Sequence, residues 1–155
     1  MGREIERKFL VHNEVWRHEV TETLVLRQGY LTSDPHCTVR VRVSNVSAWL
    51  TIKGTSVDGV TPEFEYPIPK ADALAMLSSL AEQPLIEKKR HLIPRDGIVW
   101  EVDEFLGHNA GLVIAEIELL SPNQAFPFPS WIDREVTGEQ QYYNACLVSR
   151  PFSTW

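Results

Sequence analysis

Alternation of apolar and polar residues dominates the chain and predicts a protein built mainly of β-strands. Eight segments are rich in Val, Ile, Leu, Thr and aromatic residues, and most of them alternate with a period of two. They are residues 3–12, 22–31, 36–45, 47–55, 62–69, 85–95, 98–105 and 112–120. Asp96-Gly97, between the sixth and seventh segments, is a strong signal for a tight hairpin turn. Eight strands joined mostly by short connections predict an antiparallel sheet closed into a barrel.

A helical period interrupts this alternation in a few places. Residues 70–82 carry Leu74, Leu77 and Leu80 at helical spacings, which predicts an amphipathic helix. Residues 138–148 indicate a second helix, and residues 13–18 a short helical turn. The sequence contains no repeats, low-complexity tracts or linkers, which indicates one domain over residues 1–155. The predicted fold is therefore α+β and mainly β, with a few helices packed outside the barrel.

Composition narrows the class of protein and its compartment. The 155 residues suit one core of moderate size, and the 43% of apolar residues is too high for a disordered chain. We see neither an apolar run of about 18 residues nor a signal-like start, so we expect no membrane association and no secretion. Cys37 and Cys146 lack the spacing of a metal site and the density of a disulfide framework, which favours the cytoplasm. The net charge of −6 argues against a nucleic acid duplex as partner.

Charged residues recur on one face of nearly every predicted strand, and most strands carry mainly one sign. The bases on these faces are Lys8, Arg40, Arg42, Lys53, Lys88 and Arg90. The acids are Glu4, Glu6, Glu63, Glu65, Glu101, Asp103, Glu116 and Glu118. A solvated outer face would explain any single strand, but such a surface normally mixes the two signs. Since the opposite faces are distinctly apolar, we expect the charged faces to point into the barrel, which has room for one small ligand.

A lumen with six bases and eight acids suits a polyanion together with hard cations. Buried charges are costly unless they are paired or coordinated, so some of these groups will pair with each other. Carboxylates are natural ligands of Mg²⁺ and Mn²⁺, while Arg and Lys are the usual partners of phosphate. The sequence therefore predicts a site for phosphate and divalent metal inside the barrel.

The same residues carry a resemblance to the CYTH superfamily, also called the triphosphate tunnel metalloenzymes. "EIERKFLV" at residues 4–11 matches the ExExK signature of that superfamily, and further similar motifs follow in order. They are "QGYL" at 28–31, "VRVR" at 39–42, "LTIKG" at 50–54, "EFEY" at 63–66, "WEVDEF" at 100–105, "GLVIAEIEL" at 111–119 and "REVTG" at 134–138. In length and motif spacing the chain resembles the short bacterial members that hydrolyse inorganic triphosphate.

The resemblance implies an eight-stranded antiparallel tunnel that binds a triphosphate, with two divalent cations, Mg²⁺ or Mn²⁺, on its acidic side. Glu4, Glu6 and Glu118 would be metal ligands, with Glu101, Asp103 and Glu116 close by. Glu63 and Glu65 would either help to bind metal or hold the bases in place. The phosphates would be bound by Arg40, Arg42, Lys53, Lys88 and Arg90. Lys8 would lie beside the reacting phosphate, and Tyr30 is a second candidate catalytic residue that would reach the lumen.

The implied reaction is the cleavage of inorganic triphosphate to pyrophosphate and phosphate. Two enzymatic alternatives use the same tunnel: an adenylate cyclase, and an organic triphosphatase that acts on ATP or thiamine triphosphate. A non-catalytic module that binds polyphosphate is a third alternative, although anion binding alone would favour bases without eight carboxylates. The expected partner is inorganic triphosphate or another small compound with a triphosphate group, and the sequence leaves a homodimer open.

Overall fold

The computed structural model describes residues 2–155, which form ten β-strands and two α-helices. The strands are β1 (Gly2–Glu4), β2 (Glu6–Val11), β3 (Glu22–Asp34), β4 (Cys37–Val43), β5 (Ala48–Lys53), β6 (Thr61–Pro67), β7 (Ile86–Arg95), β8 (Ile98–Phe105), β9 (Val113–Glu118) and β10 (Ile132–Glu135). The helices are α1 (Lys70–Ser79) and α2 (Asn144–Ser149), and short 3-10 turns lie at Val15–Glu19, Gly107–Asn109, Gln140–Tyr142 and Phe152–Thr154. The prediction of a mainly antiparallel β fold with a few helices is confirmed.

All neighbouring strands of the sheet are antiparallel, in the order β1-β6-β5-β4-β3-β7-β8-β9-β2-β10. The first predicted strand is divided at Ile5, because residues before it pair with β6 and residues after it pair with β9. The chain itself therefore joins two distant positions of the sheet, which curls into a tunnel. The predicted barrel of eight strands is corrected. The sheet has ten strands, and within residues 2–155 no hydrogen-bonded ladder joins its first strand, β1, to its last strand, β10, so the barrel is not closed.

Strand β10 was not predicted, because its four residues are too few to show a clear alternation. It pairs with the edge of β2 that faces away from β9, and the register of this pairing is irregular. The Arg7 guanidinium donates to both carboxylate oxygens of Glu135, with N–O distances of 2.8 and 2.6 Å. The backbone N–H of Val136 donates to the carbonyl oxygen of Lys8 at 2.8 Å. β10 therefore fixes the backbone of β2 at the position of Lys8.

Helix α1 begins after Pro69 and ends at Ser79, three residues before the predicted end. The amide of Gln83 reaches back and donates from Nε2 to the carbonyl oxygen of Leu77 at 3.0 Å, which satisfies one of the free carbonyls at the helix end. The segment after the helix packs closely on β3 at Gly29. A Cβ at that position would lie only 2.8 Å from the side chains of Ala81 and Leu85, so glycine permits the close approach.

The remaining local predictions are met to different degrees. Asp96 and Gly97 have φ angles of 52° and 78°, as expected for the tight turn between β7 and β8. The helical turn expected at 13–18 is the 3-10 turn Val15–Glu19. The helix expected over 138–148 is shorter, because Tyr143 adopts an extended conformation and α2 begins only at Asn144.

Apolar side chains form three buried clusters. The first lies on the outer face of β2, β7, β8 and β9 and contains Phe9, Trp16, Ile93, Trp100, Val102, Ala115, Ile117 and Trp131, among others. The second lies between α1 and the outer face of β4 and β5 and contains Val41, Val43, Ala48, Ala73 and Leu77. The third contains Tyr30, Ile86, Phe105, Leu112, Ile114, Val136, Tyr142, Leu147 and Val148. Among residues 2–155, no helix is long and apolar enough to cross a membrane.

Candidate active site

The fourteen charged residues singled out in the sequence lie on the inner face of the curled sheet. Side chains from strands that are not neighbours meet there. Lys53 Nζ on β5 lies 2.7 Å from a carboxylate oxygen of Glu4 on β1. Arg90 on β7 lies 3.3 Å from Glu116 on β9. Such contacts across an intervening strand fit side chains that converge from the inner face of a curled sheet, so the charged faces meet inside the tunnel.

A buried ion-pair centre lies deep in the lumen around Asp103. Asp103 is fully buried and accepts hydrogen bonds from Lys88 Nζ at 2.7 Å and from Arg90 Nε and Nη2, both at 2.8 Å. Burial alone would raise the pKa of Asp103, but the neighbouring cations Arg90 and Lys88 outweigh it and lower that pKa. Both carboxylate oxygens are thus occupied, and Asp103 serves to hold two cations in this arrangement.

Glu116 forms the second part of this centre. Its carboxylate accepts from Lys8 Nζ at 2.7 Å and from Arg90 Nη2 at 3.3 Å. Burial again favours the neutral acid, but Lys8 and then Arg90 hold the pKa of Glu116 well below its usual range. The same carboxylate, together with Glu6 at 3.1 Å, raises the pKa of Lys8 against the effect of burial. Lys8 is therefore a cation at neutral pH.

Glu4, Glu6, Glu101 and Glu118 form what we term the acidic pole of the lumen. Glu118 has no ion pair among the described residues, and its pKa is raised by burial and then by repulsion from Glu4, Glu101 and Glu6. The pKa of Glu6 is also raised, chiefly by burial, with the nearby Glu116 and Glu4 adding to it and Lys8 opposing it. The carboxylates of this pole therefore destabilise one another as ions.

The acidic pole has the donor chemistry that a hard divalent cation prefers. Carboxylate oxygens are the usual ligands of Mg²⁺ and Mn²⁺, and a dication would relieve the mutual repulsion around Glu118. Within residues 2–155, however, no three His, Cys, Asp or Glu side chains are placed closely enough to hold an ion. Lys8 and Lys53 instead pair with Glu6 and Glu4. The donor atoms of the acidic pole are of the type that binds Mg²⁺ or Mn²⁺, but these side chains would have to rearrange to bind an ion.

Arg40 and Arg42 on β4 form what we term the basic pole. Arg42 has no ion pair with any carboxylate in the described chain, and its Nε donates instead to the amide oxygen of Gln28 at 2.9 Å. Burial, and then the like charges of Arg40 and Arg90, lower the pKa of Arg42 to about 9. The Nε of Arg40 is buried and finds no acceptor among residues 2–155. A buried guanidinium N–H without an acceptor, next to an arginine without a carboxylate partner, indicates a site for an anion.

Glu63 and Glu65 lie next to bases rather than in the acidic pole. Glu63 is 3.2 Å from Lys53 Nζ. Glu65 accepts from the Thr51 hydroxyl at 2.7 Å and lies 3.6 Å from Arg40. These contacts favour the second of the two roles that the sequence left open, which is to hold the bases in place.

Tyr30 lies opposite Arg40 across β3 and β4, but its ring belongs to the third apolar cluster and is only 5% exposed. In that cluster Leu147 and Val148 of α2 pack against Tyr30 and against apolar residues from the inner face of the sheet. We call this packing the α2 seal, because it fills one end of the lumen. Packing within the seal accounts for the burial of the ring, and Tyr30 also lies near Arg42 of the lumen. Its catalytic role stays a prediction.

Three polar residues near the lumen were not singled out in the sequence. The Thr137 hydroxyl accepts from the backbone N–H of Lys8 at 2.9 Å. Gln28 and Asn144 are buried and contact Arg42 and Lys88 through their amides. Gln28 lies in the "QGYL" motif, which was a signal that a polar residue of β3 faces the lumen. Nothing local distinguishes Asn144, because its partners are distant in sequence.

The fold and the lumen together define a class of protein: an antiparallel β-tunnel whose inner wall is divided into an acidic and a basic pole. Comparison with known families agrees with this class. Residues 2–144 match the CYTH domain, and the chain belongs to the CYTH family. The resemblance identified in the sequence motifs is therefore confirmed.

Curated relatives cover nearly the whole chain. A protein of Acetivibrio thermocellus named inorganic triphosphatase is 47% identical over 155 residues, which span 100% of this chain and 99% of that protein. An inorganic triphosphatase of Nitrosomonas europaea is 35% identical over 151 residues, spanning 94% of this chain and 96% of that protein.

Solved structures share the same fold. A crystal structure of an inorganic triphosphatase superimposes with a TM-score of 0.62 at 34% identity, covering 94% of this chain and 93% of that one. A protein of Pyrococcus horikoshii superimposes with a TM-score of 0.60 at 19% identity, covering 77% and 80% of the two chains. The second likeness supports the fold alone.

Proposed function

We propose that this protein hydrolyses inorganic triphosphate to pyrophosphate and phosphate inside its tunnel, with the help of divalent metal. The relatives named inorganic triphosphatase, one of them 47% identical over the full chain, support the reaction. The structural observation that carries the proposal is the pair of unsatisfied poles. Among residues 2–155, Arg42 has no carboxylate partner and the Nε of Arg40 has no acceptor, while Glu118 has no ion pair. A triphosphate that carries divalent metal satisfies both poles at once.

The bases of the lumen would bind the phosphates and neutralise charge as it shifts during the reaction. Phosphoryl transfer depends mainly on positioning and charge stabilisation, so a rigid charged tunnel needs no covalent nucleophile. Arg40 and Arg42 would contact the phosphates from β4, and Lys53, Lys88 and Arg90 from β5 and β7. Lys8, which lies between Glu116 and Glu6, would stabilise charge at the reacting phosphate. Asp103, Glu116, Glu63 and Glu65 would hold these bases in position.

The acidic pole would hold the metal. Glu4, Glu6 and Glu118, with Glu101 beside them, would bind Mg²⁺ or Mn²⁺, and two ions suit this number of carboxylates. A dication held there would supply the charge that polarises a phosphoryl oxygen and lowers the pKa of a bound water. Lys53, which pairs with Glu4 at 2.7 Å and Glu63 at 3.2 Å, would contact phosphate where the acidic pole meets the basic wall.

A phosphate-release assay across three substrates tests the proposal. With Mg²⁺ or Mn²⁺ present, we expect inorganic triphosphate to be turned over faster than ATP or thiamine triphosphate. The reason is that one terminal phosphate of each organic compound is esterified and offers less charge to the bases. Faster turnover of ATP or thiamine triphosphate would favour an organic triphosphatase, and formation of cyclic AMP would favour a cyclase. Tight binding of triphosphate without any phosphate release would identify a binding module.

Substitutions at the two poles should have separable effects. Glu118→Gln should raise the Mg²⁺ concentration needed for half-maximal activity, while Arg42→Ala should raise the KM for triphosphate. Either change is expected to cost on the order of 10- to 1000-fold in rate at limiting metal or substrate. Steady-state kinetics over a grid of metal and substrate concentrations separates the two effects.

Glu87→Gln and Lys89→Ala are matched controls for this experiment. Both residues are exposed on β7 next to Lys88, so their substitution changes charge without touching the lumen. We expect both controls to resemble the wild type. An Arg42→Ala protein that changes only the metal requirement would contradict the assignment of the poles.

A further inference from the structure

We propose that Gln28 and Asn144 are positioning residues that hold Arg42 and Lys88 ready for phosphate, so that the seating of α2 controls the affinity for triphosphate. This inference rests on the proposed function, since it assumes that the two cations bind phosphate. It assigns a functional role to two buried amide side chains and to helix α2, which would otherwise contribute only to packing.

The four side chains form one chain of hydrogen bonds. Arg42 Nε donates to Gln28 Oε1 at 2.9 Å, and Gln28 Nε2 donates to Asn144 Oδ1 at 3.0 Å. Lys88 Nζ donates to the same Asn144 oxygen at 2.9 Å. If the Gln28 amide were reversed, its NH₂ group would face the guanidinium of Arg42. The cations therefore fix the orientation of both amides, and the amides fix the positions of the cations.

The Gln28 amide holds Arg42 without neutralising it. Arg90 is paired with three carboxylates, those of Glu101, Asp103 and Glu116, at 2.7 to 3.3 Å. Arg42 instead has only the neutral oxygen of Gln28 as a hydrogen-bond partner within residues 2–155. A neutral acceptor restricts a flexible cationic side chain but leaves its charge available to a ligand. Preorganisation of this kind lowers the ordering cost of binding.

The chain of hydrogen bonds begins at α2. Asn144 is the first residue of that helix, and Leu147 on its next turn is fully buried in the α2 seal. The amide of Asn144 can reach both Lys88 on β7 and Gln28 on β3 only while the helix is seated in the lumen. The packing of α2 at one end of the tunnel therefore determines the positions of Arg42 on β4 and Lys88 on β7.

Leucine substitutions test this role, because leucine matches the size of the amides and cannot accept a hydrogen bond. Calorimetric titration with inorganic triphosphate at a fixed Mg²⁺ concentration gives the affinity, and steady-state kinetics give KM and kcat. Gln28→Leu and Asn144→Leu should each weaken binding about 10-fold, as expected for a hydrogen bond to a charged group, and should raise KM more than they lower kcat. The double variant should bind more weakly than either single variant but by less than the product of the two losses, since both substitutions break the Gln28–Asn144 bond.

Asn109→Leu is the matched control. Asn109 is also a buried amide, and its oxygen accepts from the backbone N–H of Phe152 at 2.9 Å, so it ties down the segment after α2 without reaching the lumen cations. We expect a lower melting temperature and an unchanged affinity for triphosphate. Asn144→Asp is a second variant in case Asn144→Leu does not fold. It keeps the acceptor but adds a negative charge, so it should fold and still bind triphosphate more weakly.

The proposal is overturned if Gln28→Leu and Asn144→Asp both bind triphosphate within twofold of the wild type, or if Asn109→Leu weakens binding as much as they do. Failure of the proposed function has a different signature. A wild-type protein that binds triphosphate but releases no phosphate would refute hydrolysis, while the affinity ratios among the variants would still test the positioning role. A wild-type protein that does not bind triphosphate would overturn both.

Discussion

Exhaustive chelation of divalent cations with EDTA should abolish the release of phosphate from inorganic triphosphate. The ligand carries roughly −4 to −5 charges near neutral pH, counting about −1.5 to −2 for each terminal phosphate. Without metal, the carboxylates of the acidic pole should repel such a ligand. Burial raises the pKa values of Glu6 and Glu118, and repulsion from neighbouring carboxylates adds to that rise. Two dications would offset the four carboxylates of this pole, so metal and triphosphate should each improve the binding of the other.

Add-back of Mg²⁺ or Mn²⁺ after chelation provides the control, and it should restore activity. Circular dichroism should show the same fold before and after chelation, because Lys8 and Lys53 can pair with Glu6 and Glu4 when metal is removed. Calorimetric titration of triphosphate with and without Mg²⁺ measures the coupling directly. Undiminished turnover after complete removal of metal would refute the proposed mechanism, whereas equal affinities in the two titrations would refute only the coupling.

Asp103→Ala should destabilise the fold severely, by about 3–5 kcal/mol of unfolding free energy. Asp103 is fully buried and holds Lys88 and Arg90 with both of its oxygens. Its removal leaves Lys88, which is 1% exposed, without a carboxylate partner in a site that burial already makes unfavourable for the charged amine. Urea unfolding at neutral pH measures the loss, and Asp133→Ala, at an exposed position on β10, is the control.

The effect of Asp103→Ala should depend on pH in a defined direction. The cations Arg90 and Lys88 lower the pKa of Asp103 in the folded protein below its value in the unfolded chain. Its contribution is therefore fully present above the unfolded pKa of about 4 and is lost as the pH falls through the lower folded value. The difference in unfolding free energy between wild type and variant should shrink in acid. A difference that stays constant from neutral pH down to strongly acidic pH would show that Asp103 acts through packing alone.

Local pattern was sufficient for most of the sheet and for the wall of the lumen. The alternation of apolar and charged residues located every strand that lines the tunnel. Each of these strands packs apolar side chains on its outer face and carries charged side chains on its inner face, which produces the alternation. It did not locate β10, whose four residues show too little alternation. Nor did it show the division of the first strand at Ile5, because a change of pairing partner leaves the residue alternation intact.

The roles of individual acids depended on the tertiary arrangement. Glu116 and Glu118 lie two residues apart on the same face of β9 and are indistinguishable in sequence. Burial opposes the charge of both acids, but Lys8 and Arg90 hold the pKa of Glu116 well below the usual range. The pKa of Glu118 is raised by burial and then by other carboxylates. The two pKa values differ because strands distant in sequence place cations next to Glu116 but not next to Glu118. The same reason explains why Asn144 was not identified.

The division of the first strand at Ile5 also constrains the order in which the tunnel can assemble. Residues 2–4 pair with β6, but residues 6–11 must wait for β9, which is synthesised about a hundred residues later. Pairings so distant in sequence form slowly, because the intervening loop must close first. Glu4 and Glu6 lie on either side of the division, so they come together with Glu118 only when the β2–β9 ladder is complete. During synthesis on the ribosome, the basic wall formed by β4 and β5 can therefore exist before the acidic pole does.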